Sequence, residues 1–197
     1  MNTISASWIA FAVILVIALF VAAFWSLSRR KEQTLRLRQR FGPEYDRTID
    51  ELGGRAQAES ELKAREKRIE QLSITALAPA DATKFRQAWS AMQSRFVDNP
   101  KGVVVEADLL VRELMQKRGY STGDFGRQAA DLSVDHSAVV ETYRVAQAIA
   151  IRDQRGEAST EELRVAVVHY RTLFDELLVV KDAKEDILAA GQLPVHS

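Results

Sequence analysis

Residues 8–27 read WIAFAVILVIALFVAAFWSL, a run without a single charged side chain, and no other stretch constrains the chain so tightly. An α-helix rises about 1.5 Å per residue, so this run would reach roughly 30 Å, the thickness of bilayer hydrocarbon. Its Ile, Leu, Val and Phe side chains together favour insertion by an amount on the order of −4 to −7 kcal/mol. Trp8 and Trp25 stand near its two ends, where indole rings favour the headgroup zone. A cleaved signal peptide is the main rival, but Met1–Ser7 has no Lys or Arg, and Ala22-Ala23 is followed by the bulky Phe24 and Trp25. The reading is one transmembrane signal-anchor helix. Arg29, Arg30 and Lys31 follow directly, and the positive-inside rule then puts the remainder in the cytoplasm and a short N-terminus outside, in a single-pass inner-membrane topology.

The expected layout is a short N-terminus (1–7), the transmembrane helix (8–27), a charged helical stalk (28–75), a helical bundle (76–181) and a frayed tail (182–197). Strand-like alternation is missing and Gly and Pro fall between helical-period segments, so the fold class is all-α. Net charge is zero over 197 residues. Residues 29–72 sum to about +3 and the rest to about −3, which is no concentrated basic face, and no nucleic-acid partner is expected. The chain has no cysteine, which excludes disulfides, thiolate catalysis and Cys-ligated metal. No cofactor is expected.

In the stalk, Gly42-Pro43 breaks the juxtamembrane helix, since a residue before proline leaves the α region and Pro43 suits a new first turn. Tyr45, Ile49, Leu52 and Ala56 form one helical stripe; Ala58, Leu62, Ile69 and Leu72 form a second, with Arg65 where an apolar residue belongs. Glu51–Arg55, Glu59–Lys63 and Glu61–Arg65 have the spacing of helical ion pairs. Neither stripe sustains the heptads of a full coiled coil, so these read as solvated helices that pair with a second copy or pack on the bundle.

The bundle contains four long helices and one short one. The first runs from Pro79 to Val97, with Phe85, Trp89, Met92 and Phe96 on one face. Asn99 caps the second, Pro100 opens it, and Gly119 ends it. A short helix covers about Phe125–Asp131; a third long helix spans Ser137–Gln154. The fourth opens on a capping box, Ser159-Thr160-Glu161-Glu162. Trp89, Phe96, Leu110, Leu114, Tyr143, Tyr170 and Phe174 are expected to meet in the core.

One polar cluster interrupts the helical pattern: Asp131, Ser133, Asp135 and His136. An acid beside a histidine suits acid–base work or a borderline metal. The plainer reading is that Asp131 ends one helix and Ser133 or Asp135 caps the next. No catalytic or metal-binding residue is otherwise assigned; Trp8, Trp25, Arg29, Arg30 and Lys31 are expected at the membrane interface.

The phrases RFGPEYD (40–46), DLSVDH (131–136), RGEASTEELR (155–164) and VHYRTLF (168–174) resemble an uncharacterised bacterial family of small single-pass membrane proteins. That resemblance implies an N-terminal span with a C-terminal helical domain, and no activity. Two functions are expected on this footing. The first is a membrane-anchored cytoplasmic adaptor or scaffold that contacts the bilayer and binds a protein partner or itself. The alternative is a hydrolase or metal-dependent enzyme using Asp131, Asp135 and His136. Catalysis is the less favoured of the two.

Overall fold

The structure, a computed structural model, describes Leu15, Trp25, Arg29 and residues 31–121 and 123–178. Helices are its regular elements: α1 (31–41), α2 (Pro43–Leu52), α3 (Arg55–Gln71), α4 (Pro79–Gln93), α5 (Pro100–Arg118), α6 (Phe125–Asp135), α7 (Ser137–Gln154) and α8 (Thr160–Leu177). The all-α class therefore stands, and the single-pass architecture is not supported. Among the described residues no helix is long and apolar enough to cross a membrane. The run 8–27 lies outside the described residues apart from Leu15 and Trp25, as do Trp8, Arg30 and the tail. Arg29 places its guanidinium 4.5 Å from the centre of the Trp25 ring, and Lys31 is exposed in α1. The transmembrane helix, its orientation, the inner-membrane location and the bilayer as a partner are corrected to what the described residues show, which is no membrane-crossing helix among them.

The chain divides into two compact units, 1–59 and 60–197, with the division inside α3. In the first, Gly42 (φ 50°) ends α1 and Pro43 opens α2, as the dipeptide requires. The buried face of α2 differs from the expected stripe. Glu44, Tyr45 and Thr48 are buried, whereas Leu52 is exposed. Gly53 in the left-handed conformation stops the helix after Leu52, so the stripe cannot run on to Ala56, which is exposed. Thr48 is tolerated because its hydroxyl donates to Glu44 O at 2.7 Å. Glu59 accepts from Thr34 Oγ1 (2.7 Å) and Tyr45 Oη (2.9 Å), joining α1, α2 and the first turn of α3.

In the second unit α5, α7 and α8 pack together, with α4 against α5 and α6 against α7. Helix α5 is punctuated as its sequence dictates. Asn99 Oδ1 accepts from Gly102 N at 3.0 Å, and Gly119 (φ 96°) closes the helix with Tyr120 N on Met115 O at 3.0 Å. The capping box of α8 forms, with Glu162 N on Ser159 Oγ at 3.3 Å and Ser159 N on Glu162 Oε2 at 2.8 Å. These bonds and Arg152 hold the Glu162 carboxyl down at about 2. Trp89 stacks on Phe174 with centroids 4.6 Å apart, and Tyr143 meets Phe125 at 4.9 Å and Tyr170 at 6.1 Å.

Trp89, Leu114, Tyr143, Tyr170 and Phe174 are buried as expected; Phe96 and Leu110 are only partly so. Helix α4 stops at Gln93 and residues 94–98 form turns, which takes Phe96 off the helical stripe. Helix α6 runs one turn beyond Asp131. Burial of Leu132 and Val134 rewards that turn, and Ser133 Oγ, donating to Ala130 O at 2.7 Å, satisfies its only buried hydroxyl.

Candidate functional site

The structure disperses the 131–136 cluster. All of Asp131 to Asp135 lies within α6, and its side chains leave on different faces. Asp131 and Ser133 are buried, while Asp135 is exposed. Asp131 accepts from Ser121 Oγ, and its other oxygen lies 3.6 Å from Arg68 Nε. Arg65, the cation expected in an apolar position, is buried because it pairs with Glu61 at 3.0 Å and reaches Ser133 Oγ at 3.5 Å. Capping falls elsewhere too. Asp124 caps α6 by accepting from Arg127 N at 2.9 Å, and α7 starts at His136 without a side-chain cap. Among the described residues no group of three or more His, Asp or Glu side chains is placed to hold a metal ion. The metal-dependent reading of Asp131, Asp135 and His136 is therefore corrected.

His136 instead belongs to a set the sequence did not reveal. Its Nδ1 lies 3.0 Å from Glu176 Oε1 on α8, and its Nε2 lies 2.9 Å from Tyr120 Oη just beyond the α5 cap. Burial pushes the Tyr120 hydroxyl up to about 12; Asp135 and Glu176 push the same way and Arg118 opposes them. Arg118 lies 5.7 Å from the Tyr120 ring centre, and donates to Thr75 O and Leu177 O, each at 3.2 Å. His136 is 16 residues from Tyr120 and 40 from Glu176, separations at which no local pattern announces a pair.

A second polar centre sits within the α5–α7–α8 packing. Asp108 Oδ2 is 2.8 Å from Arg112 Nε; Tyr170 Oη donates to Gln147 Oε1 at 3.0 Å and Tyr143 Oη to Gln128 Oε1 at 3.3 Å. Burial raises the Asp108 carboxyl, against the pull of Arg112 and the Tyr170 hydroxyl. Burial likewise raises both tyrosines, helped by the Asp108 charge. A carboxyl raised on folding binds its proton more tightly in the native state. Its contribution to stability is present below the unfolded value and is lost as pH rises through the folded one. In urea unfolding from about pH 3 to 7, Asp108→Asn should therefore gain stability relative to the parent as pH rises. A difference that is flat with pH, or falls, contradicts this sign.

A further feature is an open groove between α4 and α5, about 280 Å³ in volume. Asp81, Lys84, Phe85 and Ala88 recur at helical spacing on α4, and Leu110, Glu113 and Lys117 do so on α5, so each set shares one helix face. Phe85, Ala88 and Leu110 supply apolar lining; two acids and two lysines flank it. Lys117 Nζ and Asp81 Oδ2 meet across it at 3.1 Å in a solvent-exposed pair, a kind worth only about 0–1 kcal/mol. Leu110 was legible as an inward residue of α5, but it faces this groove, only partly buried.

No protein family, curated protein or solved structure matches the chain. The resemblance to a family of single-pass membrane proteins is accordingly corrected, as no family match carries it and no described helix has the required span.

Proposed function

We propose that residues 60–178 form a docking module for a protein partner, which lays an amphipathic helix into the α4–α5 groove. The observation that carries this reading is the lining itself, an apolar strip of Phe85, Ala88 and Leu110 between charges of both signs. Helix-in-groove recognition needs this combination: apolar anchors for affinity, and flanking charges for register. The occupant it fits carries one or two apolar anchors a helical turn apart, with a base to meet Asp81 or Glu113 and an acid to meet Lys84 or Lys117. The volume falls just below the range of small-molecule pockets, about 300 to 1,000 Å³, and suits side-chain anchors. Opening the Lys117–Asp81 pair costs little, so it does not bar entry.

The test is selection of helical peptides from a displayed library on the purified full chain. Selected peptides should share apolar residues at i and i+3 or i+4 flanked by both charges. Leu110→Glu, at a partly exposed position, should weaken them by roughly tenfold or more while the variant keeps the parent's helical circular dichroism. Peptides without that pattern, or indifferent to Leu110→Glu, would refute the reading.

A further inference from the structure

We propose that Tyr120, His136 and Glu176 form a proton-operated clamp that fastens the C-terminal turn of α8 to the end of α5. Glu176 and Leu177 are the last two residues of α8. Both are held from the same place. Glu176 is bonded to the imidazole, and the carbonyl of Leu177 accepts from Arg118. His136 is itself fixed in position, since its N–H donates to Leu132 O at 2.8 Å and its carbonyl receives Val139 N and Val140 N. The clamp thus joins three helix termini: the end of α5, the α6–α7 junction and the end of α8.

The bonding dictates the tautomer. An ionised Glu176 can only accept, so Nδ1 carries a proton in either charge state. In the neutral ring Nε2 accepts the Tyr120 proton. In the cationic ring Nε2–H donates to Tyr120 Oη, and the hydroxyl proton turns away. No bond is lost, but the bond to Glu176 becomes doubly charge-assisted and tightens. Glu176 on α8 is bonded to the ring, and the charges acting on its other partner, Tyr120, are Arg118 at the end of α5, Asp135 on α6 and Glu176 itself. The side chain of His136 is 11% exposed, so protons reach it without unfolding.

The experiment follows the imidazole of the full chain by NMR across its titration, with amide hydrogen exchange of Asp175–Leu178 measured alongside. Their protection, taken relative to the intrinsic exchange rate at each pH, should rise about fivefold once the ring is cationic, in step with the ring signal. In Glu176→Gln, at a half-exposed position where folding is not at risk, the exchange step should vanish. Tyr120→Phe, which removes the other partner and keeps the ring packing, should retain the step. An exchange step that persists in Glu176→Gln, or exchange at the α8 end that ignores the ring, overturns the clamp.

Discussion

Replacing Gly119 by alanine should lower the unfolding free energy by about 2–4 kcal/mol, measured by urea or thermal denaturation. Gly119 has φ 96°, which L-residues avoid, and a Cβ there would lie 2.5 Å from the carbonyl oxygen of Ser73. That oxygen belongs to backbone and cannot step aside cheaply. The segment beside it is already tied to α5, with Thr75 N on Arg118 O at 2.9 Å and Arg118 Nε on Thr75 O at 3.2 Å. Gly53 is the internal comparison. Its φ is 69°, but a Cβ there meets nothing within 4 Å. Gly53→Ala should carry only the backbone cost, about 1–2 kcal/mol. Equal losses at the two glycines would mean that the approach of Ser73 to Gly119 contributes nothing.

Truncating Trp89 to alanine should cost about 3–5 kcal/mol, the range for a large aromatic side chain removed from a core. Trp89 is 4% exposed and stacks on Phe174 at 4.6 Å, so the loss falls on the joint between α4 and the α8 side of the core. Trp89→Phe should behave differently. The indole Nε1 is buried with no hydrogen-bond partner among the described residues. Phenylalanine keeps a ring against Phe174 and removes that unsatisfied donor, so part of the packing loss is offset. Its cost should stay below about 1.5 kcal/mol in the same denaturation experiment. A Phe variant as unstable as the Ala variant would show that the indole N–H is satisfied after all.

What the sequence discloses and what it conceals divide along distance in the chain. Asn99, Gly119 and the Ser159–Glu162 box mark helix ends because each acts on backbone within four residues. The inward residues of α7, namely Val140, Tyr143, Ala146 and Ile149, follow from helical period alone. Local competition defeats the same logic at Phe96, where α4 unwinds into turns, and at Leu52, where Gly53 ends α2. Arg65 stood out in the sequence as a cation in an apolar position, and its distant partner Ser133 gives the reason. The candidate sites were the least legible. Asp131, Ser133, Asp135 and His136 are neighbours in the chain, but α6 turns them to different faces, and His136 finds its partners on other helices. The groove needs two helices side by side before it exists. The apolar run 8–27 gave the strongest single signal, but it lies outside the described residues apart from Leu15 and Trp25, and no described helix is long and apolar enough to cross a membrane.

The docking claim is tested most directly by methyl NMR of the full chain bound to a selected helical peptide, reading cross-saturation from the peptide to protein methyl groups. The account expects transfer to Ala88 and Leu110, the exposed and partly exposed methyl-bearing residues of the groove. Transfer confined to another surface, such as the exposed Val145 and Ile151 of α7, would contradict it.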